Sequence, residues 1–225
     1  MSEELRTEEE QVEAIKKWWS ENGTSLILSV VVVAGGWFGW NTYQDNVRAT
    51  GEAASAVYSQ LVEKVAQPAA EQSDAVKAEM IDLAEQLKND YSSTVYSQFG
   101  GLFLARFAAD NGDFDTAASE LEAVIAAAEE GPVKLTAQVR LANILVQLDK
   151  NDEALALIPA QPDSAYAAQF NEVKGDALFR KGDSAAARDA YVAAKAAAQD
   201  AGINTQTLQR KIDSLTSVEL VAEES

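Results

Sequence analysis

The 225-residue chain contains no cysteine and no histidine. Their absence removes disulfides, thiol nucleophiles, Ser-His-Asp relays and zinc sites built on thiolate or imidazole. Only carboxylates, hydroxyls and lysines are left for chemistry. A domain without thiols fits any compartment, and it suits export because it cannot mispair in an oxidising space. Basic residues are also scarce: 18 Lys and Arg stand against 36 Asp and Glu, a formal charge of −18. Such a surface repels phosphate and argues against nucleic acid as a partner. Period-2 alternation is missing from residue 45 onward and alanine is abundant, so helix is predicted nearly everywhere.

What is present is concentrated in one place. All four tryptophans lie between Lys16 and Gln44, and no charge falls between Glu21 and Asp45. As a helix, residues 22–44 extend about 35 Å, enough for a hydrocarbon core of about 30 Å. Trp18 and Trp19 precede the apolar run and Trp40 and Tyr43 follow it, as interfacial aromatic belts require. Asn41 to Asp45 stand where a cleavage site would need small residues, so the segment reads as a retained signal anchor. Arg6, Lys16 and Lys17 lie before it and only Arg48 lies close after it. That bias predicts a cytoplasmic tail and an exported C-terminal domain, periplasmic in a bacterium. Gly35 and Gly39 form a GxxxG pair, which either admits a second membrane helix at close range or belongs to the ordinary glycine content of a span. Upstream, Thr7 and Glu10 make a capping-box pattern, and Val12, Ile15 and Trp19 share a face. They predict a short amphipathic helix ending near Asn22-Gly23.

Beyond the span, three stretches repeat one pattern: "LARFAADNGDFDTAASELEAVIAAA", "LANILVQLDKNDEALALI" and "KGDALFRKGDSAAARDAYVAAKAAA". Each reads as helix, polar turn, helix. Aligning the turns superposes Ala105, Ala142 and Gly175, and then Ala117, Ala154 and Ala187 twelve residues later. Repeats of about 34 residues with small side chains at both positions are the mark of tetratricopeptide units, whose paired helices approach closely. Asp113, Asp152 and Asp183 are placed to cap the second helix of each unit. "DAVKAEMIDLAEQLKNDYSSTVYSQFG" reads as one further helix running into the first unit, and Leu208, Ile212 and Leu215 mark a closing helix. The predicted fold is all-α: an N-terminal transmembrane helix followed by a tetratricopeptide-like helical-repeat solenoid. Its parts are a tail over 1–21, the span over 22–44, an exit helix and hinge over 45–73, and the repeat domain with its closing helix over 74–225.

No active site emerges. Asp113 and Asp115 fail the calcium-loop spacing and read as helix starters. Glu71, Glu79, Asp82 and Glu85 fall on solvated helix faces, and no metal or cofactor is implied. Helical repeats work through the concave face of their first helices. Repeat counting directs Phe99, Leu102, Arg106, Val139, Asn143, Glu172, Asp176, Phe179 and Arg180 toward that protein-binding groove, although Phe99 and Phe179 fit equally as core between units. A lysine and asparagine clamp for a terminal carboxylate is disfavoured, since Asn143 alone stands at a matching place.

"EQVEAIKKWWSENG", followed by a glycine-containing span and alanine-rich repeats, resembles the YfgM-like ancillary subunits of the bacterial SecYEG translocon over essentially the whole chain. The resemblance implies a single-pass protein of the inner membrane with a periplasmic repeat domain. It also implies association with the SecYEG translocon and the periplasmic chaperone PpiD. The implied role is non-catalytic, helping to pass newly exported polypeptides to chaperones. A membrane-anchored scaffold for an envelope assembly, without nascent clients, stays open as the alternative.

Overall fold

The computed structural model describes residues 8–68, 70 and 72–223, with side chains described between Glu10 and Leu215. Arg6, Thr7 and Glu71, named above, lie outside the described residues. The chain is all-α, with no strand among the described residues. Packing divides it into two units, one up to Ala53 and the other from Ala54 onward.

The first helix, α1 (Glu8–Val65), is 58 residues long. No proline interrupts it before Pro68, and the residue before a proline disfavours helix. In the unit up to Ala53, apolar side chains from Leu26 to Trp40 are exposed, Val33 and Phe38 each 70% so. A helix with apolar side chains exposed all round has the surface of a membrane span, and by length and composition α1 can cross a bilayer. The expected break near Asn22-Gly23 is absent: the helix continues through both residues. The Trp19 ring covers Gly23 one turn on, 3.2 Å from where a Cβ would stand. That cover offsets part of the roughly 1 kcal/mol by which glycine weakens a helix.

In the unit from Ala54 onward, Ala54, Val57 and Leu61 of α1 are buried in one cluster with Met80, Ala84 and Leu87 of α2 (Asp74–Asp90). The single helix expected from Asp74 into the first repeat is divided at Tyr91–Thr94 into α2 and α3 (Val95–Asp110). Hydroxyls there compete for backbone carbonyls: Thr94 donates to Tyr91 O at 2.9 Å and Ser97 to Lys88 O at 3.2 Å. The break lets α3 fold back on α2, and Gly100 sits at the crossing, where a Cβ would stand 2.6 Å from Ala84 O.

The repeats follow as α3 with α4 (Phe114–Ala127), α5 (Pro132–Gln147) with α6 (Asn151–Ala156), and α7 (Ala167–Arg180) with α8 (Ser184–Asp200). All six aligned small residues are buried: Ala105, Ala117, Ala142, Ala154, Gly175 and Ala187. The Tyr191 ring lies 2.4 Å from where a Gly175 Cβ would project, which is why this unit carries glycine where the others carry alanine. One cluster runs through α3 to α7, and a second joins α8 to the closing helix α9 (Gln206–Glu223) through Ala187, Tyr191, Leu208, Ile212 and Leu215.

Two of the three expected aspartate caps form. Asp113 accepts from Thr116 N at 3.1 Å and Asp183 from Ala186 N at 3.0 Å. Asp152 does not cap. It lies inside the first turn of α6 and pairs with Lys181, while Lys150 holds the cap position. The reason lies in the turns: the cap follows directly after the left-handed residue, which is Gly112 (φ 80°), Asp149 (φ 60°) or Gly182 (φ 84°). In "DKND" that register puts lysine where the other turns put aspartate.

Candidate protein-binding groove

The nine groove candidates fall in three places. Phe99, Leu102 and Arg106 lie on successive turns of α3 and line one cavity of about 180 Å³. Its other walls are Tyr58 from α1, Phe103, and Arg140 from α5. The Tyr58 ring gathers the wall's aromatics, with ring centroids 5.4 Å from Phe99, 5.5 Å from Tyr96 and 6.3 Å from Phe103. These aromatics are half-buried, so they pack and still present ring surface. Phe99 therefore belongs both to the packing and to a cavity wall.

Two guanidinium groups edge this cavity in an otherwise acidic protein. Arg106 rests on Asp110 one turn away at 3.5 Å, an exposed pair. Arg140 donates to Leu102 O at 3.4 Å and pairs with no carboxylate among the described residues. Partial desolvation, and then the like charge of Arg106, hold the Arg140 guanidinium below its usual pKa.

On α5, Val139 is half-buried against the central core, and exposed Asn143 donates to Val139 O at 3.0 Å. The α7 candidates separate. Phe179 is 52% exposed and Arg180 is also exposed, whereas Glu172 and Asp176 are both held by Lys211 of α9. The ammonium donates to Glu172 Oε1 at 2.9 Å and to Asp176 Oδ1 at 2.7 Å. The Tyr191 hydroxyl donates to the same Asp176 oxygen at 2.7 Å. Burial pulls the Lys211 ammonium down, but the hydrogen bonds and charges of Asp176 and Glu172 outweigh it and raise the pKa above its usual value. Burial first, then Asp176 and Glu172, push the Tyr191 phenol up as well. Both groups thus stay protonated, and the two acids serve as a joint between α7 and the closing helix.

Sequence reasoning missed Tyr58, Phe103, Arg140, Tyr191 and Lys211 as members of these sites. Tyr96, Phe99, Phe103 and Phe107 recur at spacings of three and four, a signal legible on one helix. Tyr58 lies outside the repeats, and Arg140 falls at a position equivalent to Phe103 and Val173, so repeat counting could not assign either.

A family model described as a tetratricopeptide repeat-like domain matches residues 16–217. A relative from Escherichia coli (strain K12), named "Ancillary SecYEG translocon subunit", is 30% identical over 83% of this chain and 86% of its own length. The chain belongs to the ancillary SecYEG translocon subunit family. Another relative of that name, from Aggregatibacter actinomycetemcomitans, is 30% identical over 92% of this chain and 97% of its own length. A third, from Haemophilus influenzae, is 29% identical over 82% and 86%. No solved structure matches the chain. The matched residues take in the apolar helix and all three repeats, so family membership rests on the whole architecture described above.

Proposed function

We propose that this protein is a non-catalytic adaptor at the SecYEG translocon, anchored in the bacterial inner membrane by the apolar part of α1. Its repeat domain faces the periplasm, receives newly exported polypeptides and passes them to periplasmic chaperones, PpiD among them. The carrying observation is the combination, in one chain, of a helix able to cross a membrane, the one such helix among the described residues, and a tetratricopeptide-like domain, in a chain similar along most of its length to relatives named as ancillary SecYEG subunits. The orientation is supported by Lys16 and Lys17 before the span against Arg48 alone close after it. The groove candidates on α3, α5 and α7 supply the contact with polypeptide, and the acids that Lys211 holds are the least available of them.

The test is purification of the full-length protein from membranes in mild detergent, after crosslinking, with its partners identified. Recovery of SecYEG and of partly exported chains supports the reading; recovery of mature envelope components alone would replace it with an assembly scaffold. A lateral contact is part of the same proposal. Nothing lies within 4 Å of where Cβ atoms would stand on Gly35 and Gly39, so both present bare backbone. Gly35→Ile with Gly39→Ile is expected to lower SecYEG recovery several-fold with membrane insertion intact, and unchanged recovery would reject that contact.

A further inference from the structure

We propose that the cavity between α1, α3 and α5 is a subsite for one large apolar side chain flanked by an acidic side chain within an extended polypeptide. The inference rests on the adaptor reading and states what the groove selects.

Size comes first. About 180 Å³ is well below the roughly 300–1,000 Å³ of pockets that enclose drug-sized ligands, and it suits a single side chain. The walls decide its character: Tyr58, Phe99, Leu102 and Phe103 offer ring faces and an aliphatic surface, with no acid among the lining residues. An apolar side chain seated against those four residues leaves water, and the charged part of the wall is confined to Arg106 and Arg140.

Charge decides what flanks it. Arg106 and Arg140 are the two charged members of the lining, and they come from different helices. Arg140 has no carboxylate partner among the described residues, and the bond it makes to Leu102 O is long at 3.4 Å. Among the described residues Arg106 pairs with Asp110 alone, and an exposed pair of that kind within one helix is worth little and is readily exchanged. A carboxylate placed between the two guanidiniums relieves their mutual repulsion and makes charge-assisted bonds. The residue now resting on Arg106 is an aspartate side chain, so an acidic side chain of the incoming chain is the natural replacement. Polyanions are a poor match, because the rest of a protein with charge −18 repels them while a single carboxylate meets that field only once.

The experiment uses the full-length protein in detergent and fluorescent twelve-residue peptides with blocked ends, carrying a central Phe-Glu, Phe-Gln or Ser-Glu pair. A fourth peptide ends in Phe with a free carboxylate. Phe-Glu is expected to bind about tenfold more tightly than Phe-Gln or Ser-Glu, and more weakly as salt rises. Arg106→Gln with Arg140→Gln should remove that advantage while leaving Phe-Gln binding within about twofold, and an unchanged melting temperature will show that the variant is folded. Equal binding of Phe-Glu and Phe-Gln, or retention of the advantage in the double variant, overturns the proposal. Tightest binding of the free-ended peptide overturns the choice of an internal acid. A dimer that the double variant dissolves would place a second copy in the cavity and overturn it too. The adaptor reading is scored separately: wild-type protein that selects Phe-Glu yet recovers no SecYEG keeps the subsite and rejects the translocon role.

Discussion

Gly100 and Gly175 occupy positions where one methyl group decides whether two elements meet. At Gly100 the obstacle is backbone, the Ala84 carbonyl, which cannot rotate away as a side-chain end can. Gly100→Ala is therefore expected to cost about 1–3 kcal/mol through overpacking, seen as a lower denaturant midpoint in the α2–α3 region. Lys150 is the opposite case, a residue whose improvement is legible by comparison with its equivalents. Asp113 and Asp183 cap their helices, and the Thr116 hydroxyl and N–H hold the Asp113 carboxyl below its usual pKa. Lys150 makes no side-chain cap bond. Lys150→Asn supplies one without placing a fourth acid beside Asp149, Asp152 and Glu153, and should stabilise by about 1 kcal/mol in thermal melts.

Among the elements, the closing helix α9 is held by burial and by one ionic joint. Lys211 and Tyr191 both have folded pKa values above their unfolded ones, near 10.4 and about 10. The native state therefore binds more protons than the unfolded state at high pH, and stability from the joint is full below about pH 10 and falls as pH rises further. Lys211→Met should lower the melting temperature at pH 8, and the gap between its curve and that of the wild type should shrink as pH rises past the unfolded lysine value of about 10.4. Parallel curves across that range would show that the ammonium is not the titrating group. At this scale the sequence is legible where the signal is local. The three repeat units, their small positions and the closing helix were all visible in spacing, because close helix pairing imposes residue size directly. The break at Tyr91–Thr94 was missed because hydroxyl-to-carbonyl competition is weak in any one residue and decisive only when several act together. The spacing points to Asp152 rather than Lys150 because the left-handed residue of that turn is an aspartate, Asp149, and so lacks the glycine that marks the other two.

For the whole molecule, the start of the folded domain lies earlier than the first repeat. Ala54 and Leu61 are fully buried and Val57 nearly so, against Met80, Ala84 and Leu87. A fragment beginning at Asp74 loses those side chains from its core and should melt roughly 10 °C below one beginning near residue 50, measured by circular dichroism. Equal melting temperatures would show that residues 54–65 add no stability. The sequence by itself determined the membrane helix, the all-α class, the repeat period and the lack of thiol or imidazole chemistry. Each follows from composition or from a periodicity that neighbouring residues impose on one another. Only the tertiary structure decided which candidates share a site. It joined Tyr58 to Phe99, set Arg140 beside Arg106, and withdrew Glu172 and Asp176 into the grip of Lys211. Those pairings are separated by 34 to 41 positions in the chain, and no local pattern encodes them, because they arise from the packing of one helix pair on the next.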